Sequence, residues 1–165
     1  MATSPDIQEA TIQKFFAPDA GFRHPLCAVK REPGSRQSIL GIYQWYRIMS
    51  PRIILEVKDV VYDRKRNVIF LEIEQKFHLR FNPLPGGFSR LITRLELQEQ
   101  IDGLHYITLQ EDFYHPSDFA ALIIPPLRPF IEAGLRAASL VCSVNAYIAR
   151  AIGPWRLNSR VGRVE

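Results

Sequence analysis

This chain predicts an α+β fold, on three observations. Two helical patterns come first, four alternating strand patterns joined by hairpin signals follow, and one long apolar helical pattern closes the chain. The first helix starts at Ser4-Pro5-Asp6, with Ser as N-cap, Pro at the first helical position and Asp in the first turn. Ile12, Phe15 and Phe16 give it an apolar stripe, and Ala17-Pro18-Asp19-Ala20-Gly21 is expected to end it. Phe22 to Leu26 reads as a short extended piece, since residues before proline avoid the α region. Cys27 to Gly34 reads as a loop. The second helix is expected over about Ser35 to Met49, where Ile39, Ile42, Tyr43, Tyr46 and Met49 recur at helical spacing, and Ser50-Pro51 stops it.

Arg52 to Asp63 alternates, with Ile53, Leu55, Val57 and Val61 on one side and Glu56 and Lys58 on the other. A charged tip, Asp63 to Asn67, leads into Val68 to Phe81, where Gln75 is the single polar residue in the series Leu71, Ile73, Phe77, Leu79. Pairing Tyr62 with Val68 sets Lys58 opposite Glu72. A loop over residues 82–87 precedes the next hairpin, which carries the strongest local signal: Asp102-Gly103 between two alternating runs, a sequence suited to a type I′ turn with φ > 0 at both positions. Pairing Ile101 with Leu104 places Leu97 opposite Thr108, Leu95 opposite Gln110, Thr93 opposite Asp112 and Leu91 opposite Tyr114. Arg94 then faces Glu111 on the other, solvated side. His115-Pro116-Ser117-Asp118 caps a short helix, Pro125-Pro126 breaks it, and a final helix runs from about Leu127 to Ile152 with Gly153-Pro154 as its stop. Arg128, Glu132 and Arg136 form a stripe with ion-pair spacing. The rest of that helix is apolar over most of its circumference and needs a second surface: a dimer partner, a membrane interface, or the open end of a curved sheet.

With 165 residues the length suits one domain, and a net charge of +4 without a basic, aromatic-laced stripe gives no reason to expect nucleic-acid binding. Arginines cluster weakly at the end, in Arg156, Arg160 and Arg163. Two cysteines, Cys27 and Cys142, form neither a disulfide framework nor a metal spacing, which suits a reducing compartment. The N-terminal stretch has no signal-peptide pattern, and the longest charge-free run, Ala137 to Ala149, is short of the roughly 20 residues a membrane span needs. A cytoplasmic protein is therefore expected, with peripheral membrane contact through the last helix left open.

The chain contains no GxGxxG, P-loop, GxSxG, HExxH or CxxC, so no cofactor and no metal is expected. The hairpin registers assemble something else: Gln75, Thr93, Gln110, Asp112 and Tyr114 all on the apolar face of the sheet, where the aromatic helix (Tyr43, Tyr46) and the His24 segment must also pack. A carboxyl on an apolar face is paired, hydrogen-bonded or functional, and convergent hydroxyl and amide neighbours suit general acid–base work on a small ligand. The competing reading is structural: Asp112 caps a turn or pairs with an arginine such as Arg36, and the tyrosines are core.

The segments FFAPDAGFRHP, GSRQSILGIYQWYRIMSPRIILEV and DGLHYITLQEDFYHPSDF resemble the SnoaL-like, nuclear-transport-factor-2-like superfamily, and are most similar to its fungal SigF-like branch. The resemblance covers about residues 10–125. It implies a cone-shaped, curved antiparallel sheet of about four long strands plus a short one, wrapped round N-terminal helices. Residues 1–125 would form the cone, and residues 126–165 an apolar helix and basic tail packed on the same domain or on a partner. It also implies a homodimer and a cofactor-free enzyme of fungal secondary metabolism (an isomerase or cyclase) acting on a small molecule. Asp112, His24 and Tyr114 would be catalytic, and Arg36, Tyr43, Tyr46, Gln75, Thr93 and Gln110 would bind substrate. The chain lacks the paired Asp-Arg-Asp set of an epoxide hydrolase and the two pocket histidines of a scytalone-dehydratase-type site. Because binding members share the fold, a non-catalytic ligand-binding or interaction module, associated with membrane through the last helix, is the alternative.

Overall fold

Ser4 caps the first helix as its sequence predicts: the Ser4 Oγ accepts the Ile7 N–H at 3.4 Å, and Pro5 takes the first helical position. The computed structural model describes residues 4–80 and 86–152. In chain order these form α1 (Pro5–Phe15), β1 (Phe16–His24), β2 (Cys27–Val29), α2 (Ser35–Met49), β3 (Arg52–Asp63), β4 (Val68–His78), β5 (Phe88–Glu99), β6 (His105–Tyr114), α3 (Pro116–Ile123), a 3₁₀ turn (Pro125–Leu127) and α4 (Arg128–Ile152). The expected strand end at Phe81, the loop over residues 82–85, the Gly153-Pro154 stop and the basic tail lie outside the described residues. The fold is α+β with one curled six-stranded sheet, in the order β2-β1-β6-β5-β4-β3.

The sheet has two strands more than the meander. Ala17 to Gly21, expected to end a helix, instead lies within β1, which pairs in parallel with β6. The register breaks between Phe16 and Gly21, so Pro18 sits exposed at an irregularity where its missing N–H leaves no gap in a ladder. Ala17, Ala20 and Phe22 are buried, and a Cβ on Gly21 would come to 3.0 Å from Leu109 Cδ1, so a larger residue there would push that side chain aside. Part of the expected loop is also strand: Cys27–Val29 folds back on Phe22 to His24 as a short hairpin.

Both long hairpins are displaced by one residue at their tips and corrected by a bulge. At the β5–β6 tip only Gly103 has φ > 0 (+74°), and Gly103 N–H donates to Gln100 O at 2.9 Å. The loop therefore has three residues rather than the expected two. Leu97 pairs with Ile107 instead of Thr108, which is bulged out with its Oγ1 donating to Glu96 O at 3.3 Å. Beyond the bulge the expected register holds: Leu95 faces Gln110, Thr93 faces Asp112, and Leu91 faces Tyr114. The β3–β4 hairpin repeats this pattern. Its tip pairs Asp63 with Val68 and Tyr62 with Ile69; a bulge at Lys58 puts Asp59 opposite Glu72 and restores Val57 opposite Ile73 and Leu55 opposite Gln75. Because that bulge switches faces, Val60 and Tyr62, not Val61, join Leu55 and Val57 on the apolar side. Lys58 keeps acidic partners even so, at 2.8 Å from Glu56 and 3.2 Å from Glu74.

The core gathers Ile12, Phe16, Ala17, Ala20 and Phe22 against Ile39 and Leu40 of α2. Helices α1 and α2 pack on β1, β2 and β6, and α3 packs on β5. Helix α4 meets α3 and the 3₁₀ turn, and none of its side chains is buried within the chain.

Candidate functional site

Three rows of side chains cross the apolar face of the sheet, because directly opposed residues share a face. One row runs Val60–Leu71–Thr93–Asp112, the next Val57–Ile73–Leu91–Tyr114, and a third Tyr62–Ile69–Leu95–Gln110–Phe22. His24 lies two residues beyond Phe22 on β1 and so points the same way; the two rings stack at 6.3 Å. Thr93, Asp112, Tyr114 and Gln110 thus stand toward the β6 side of these rows, where the sheet meets the helices.

Asp112 is partly buried and takes no part in any ion pair among the described residues. Its Oδ1 accepts from Thr93 Oγ1 at 2.7 Å and from Gln110 Nε2 at 3.1 Å, and its Oδ2 accepts from the same amide at 3.2 Å. Tyr43 donates to Gln110 Oε1 at 2.8 Å, which fixes the amide with its nitrogen toward the carboxyl. Burial raises the Asp112 pKa above its ordinary value of 3.8, against the two hydrogen bonds that favour the charged form.

His24 heads a second network. Its Nδ1 accepts the Leu26 N–H at 3.2 Å, so the neutral ring carries its proton on Nε2. Burial lowers the His24 pKa to about 4, so the ring is neutral at neutral pH. Nε2 lies 3.4 Å from Tyr114 Oη, which also accepts from Gln75 Nε2 at 2.6 Å. With two donors already on that oxygen, the Tyr114 proton is left for something else, and the hydroxyl becomes a polarised donor. On the other side, Tyr46 Oη lies 3.3 Å from His24 Nδ1 and 3.2 Å from Cys27 Sγ. Burial raises the pKa values of Tyr43, Tyr46 and Tyr114 as well, with the Asp112 charge adding to each, so all three keep their protons. Phe119 of α3 packs edge-on to His24 and Tyr114, at 6.3 and 5.7 Å.

Eight of the nine expected residues therefore converge: Asp112, His24, Tyr114, Tyr43, Tyr46, Gln75, Thr93 and Gln110. Arg36 does not join them. It faces the end of α1, where its Nη1 donates to the carbonyls of Gln13 and Phe16 at 3.2 and 3.1 Å, satisfying acceptors that a helix C-terminus leaves open. It neither pairs with Asp112 nor lines the site, so both sequence readings of Arg36 are corrected. Cys27 and Phe119 are additions. Nothing local marks them, since Cys27 arrives through a hairpin read as loop and Phe119 through the docking of α3. No group of three His, Cys, Asp or Glu residues among those described could hold a metal ion. Two surface depressions, of about 340 Å³ beside Glu74, Arg90 and Arg128 and about 550 Å³ beside Asp19, Arg31 and Asp102, lie apart from Asp112.

An α+β cone with polar groups gathered at the covered end of its sheet is an NTF2-like, ketosteroid-isomerase-like architecture. The chain belongs to the SigF NTF2-like domain family, whose pattern matches residues 1–154. No curated protein matches it. Among solved structures it is similar to a protein of ketosteroid isomerase-like fold from Catenulispora acidiphila DSM 44928 in complex with trimethylamine. That match has 17% identity over 73% of this chain and 82% of the other, with a TM-score of 0.55. It is also similar to an NTF2-like protein of unknown function from Burkholderia pseudomallei K96243, at 9% identity over 72% and 86% of the two chains with a TM-score of 0.56. AusH from Aspergillus nidulans matches at 18% identity over 66% and 73%, with a TM-score of 0.48. No helix among the described residues is long and apolar enough to cross a membrane.

Proposed function

We propose that this chain is a cofactor-independent enzyme of fungal secondary metabolism that isomerises, cyclises or rearranges a small carbonyl compound by proton transfer. The observation that carries the reading is the pairing of Asp112 with Tyr114. They stand two residues apart on one strand face, one a carboxyl outside any ion pair among the described residues and the other a hydroxyl that accepts from Gln75 and lies against His24. The Asp112 carboxylate would take a proton from the carbon next to the carbonyl. The C–H electron pair moves into the developing enolate, and Tyr114 hydrogen-bonds the enolate oxygen. Return of the proton from Asp112 to a different carbon completes an isomerisation and restores the carboxylate. Thr93 and Gln110 hold the carboxyl in place. His24, neutral and hydrogen-bonded to Tyr114, supports the donor, and Phe22 and Phe119 supply apolar surface.

A panel of β,γ-unsaturated cyclic ketones tests this, with conversion to the conjugated isomer followed by ultraviolet absorbance. Asp112→Asn should keep the fold and lower the rate by about 10²–10⁴. Equal rates in the variant and the parent protein would remove Asp112 from the chemistry. Ligand binding without turnover in either protein would favour the non-catalytic binding module.

A further inference from the structure

Two apolar surfaces of this chain face solvent, and they match. The first is the β3–β4 end of the site face, where Leu55, Val57, Val60 and Tyr62 share one side of the sheet and are 54, 46, 57 and 43% exposed. The helices that cover β1, β6 and β5 stop short of it. The second is α4. Arg128, Glu132, Arg136, Ser139, Ser143 and Arg150 recur at three- and four-residue steps and gather all of its charges in about 80° of its circumference, leaving Asn145 as the one amide outside that stripe. The two serine hydroxyls in that stripe donate to backbone carbonyls of their own helix, at 3.0 and 2.9 Å. The opposite arc, with Phe130, Val141, Val144 and Ile148, is 73, 56, 47 and 46% exposed. A helix that is apolar over most of its surface is ordinarily buried.

We propose that α4 of one copy lies across the bare β3–β4 end of a second copy, and that the exchange is reciprocal, so each copy's helix closes the open side of the other's site. Neither surface carries a charge in its contact region, as expected of an interface core. Their lengths agree: the 25 residues of α4 span about 37 Å and the 12 residues of β3 about 40 Å. Half the surface of such a helix is about 600 Å². Two reciprocal contacts then bury about 2,400 Å² in total, above the roughly 1,600 Å² of a standard stable interface. A two-fold dimer satisfies both surfaces at once, whereas a one-way contact would leave one of each exposed and propagate. Within one chain α4 leaves the 3₁₀ turn Pro125–Leu127 and makes its main contacts with that turn and with α3.

Sedimentation equilibrium of the full chain should give a dimer. Val141→Glu with Val144→Glu should raise the dissociation constant at least about 100-fold, since two charges would enter an apolar contact. Thiol pairing identifies the contact without disturbing the packing: in a Cys142→Ser background, Val57→Cys together with Val144→Cys should form interchain disulfides and run as a covalent dimer, while either substitution alone should not. A monomeric parent protein would overturn the proposal. So would an intrachain disulfide, which puts the helix on its own sheet, or cross-linking of the Val57→Cys variant alone, which puts sheet against sheet. Co-sedimentation of the chain, but not of the double glutamate variant, with phosphatidylcholine–phosphatidylserine vesicles would assign α4 to a lipid surface instead. None of these readouts depends on the catalytic reading.

Discussion

The two ends of one sheet face are built from the same kind of residue and come to opposite fates. Phe22, Leu91 and Thr93 are buried under α1, α2 and α3, while Leu55, Val57 and Val60, on the same face a few strands away, are about half exposed. Leu91 and Thr93 belong to an alternating run much like that of Leu55, Val57 and Val60. What differs is the cover, not the strand, and the site lies where the cover begins. There the Asp112 carboxyl is desolvated enough to shift its pKa while part of the residue stays exposed.

This contrast makes stability the sharpest probe. Phe22→Ala, in the covered end, should cost about 3–5 kcal/mol in denaturant unfolding. Leu55→Ala, measured in the monomeric double glutamate variant, should cost under about 1 kcal/mol, as surface changes do. Equal costs would erase the distinction between the two ends. If α4 of a second copy covers Leu55, the same substitution in the parent protein should instead weaken the dimer.

Tyr114→Phe comes next in size. It removes the donor but keeps the ring between His24 and Phe119, so kcat should fall on the order of 10²-fold with little change in KM. A change in KM alone would make the hydroxyl a ground-state binder.

A smaller effect comes from His24. Its ordinary pKa is 6.5 and the folded value is about 4, so the unfolded chain binds this proton more tightly. Its contribution to stability is therefore present above pH 6.5 and is lost as pH falls toward 4. Melting temperature should decline across that window, and His24→Gln should flatten the decline. Asp112 acts in the opposite sense: with its folded pKa raised, the folded state holds the proton more tightly. The stability this gives is present below the ordinary value of 3.8 and is lost as pH rises through the raised value.

Much of the site was legible because it rests on local rules. The Ser35–Met49 helix and the Arg52–Asp63 strand follow from periodicity and proline stops. The pairing of Thr93 with Asp112 follows from alternation on either side of Asp102-Gly103. That pairing survives a misjudged turn because the Thr108 bulge offsets the extra loop residue, so the register near the site is right although the tip is not. What escaped depends on contacts far apart in sequence. β1 carries turn residues, Pro18-Asp19-Ala20-Gly21, and is strand only because β6 runs beside it. Arg36 has the charge to pair with Asp112, but the carbonyls at the end of α1 are nearer. Cys27 and Phe119 enter through β2 and α3, whose placement no periodicity encodes.

Asp112 can serve as the base of the site only if its carboxyl holds its proton more tightly than in water, and that is measurable without a substrate. A ¹³C NMR titration of the aspartate carboxyl carbons, with the Asp112 resonance assigned by its loss in Asp112→Asn, reads its midpoint directly. The structure predicts a midpoint clearly above the ordinary 3.8, because burial outweighs the hydrogen bonds from Thr93 and Gln110. A midpoint at or below 3.8 would mean those hydrogen bonds win, and would make Asp112 a structural acceptor rather than the base of the site.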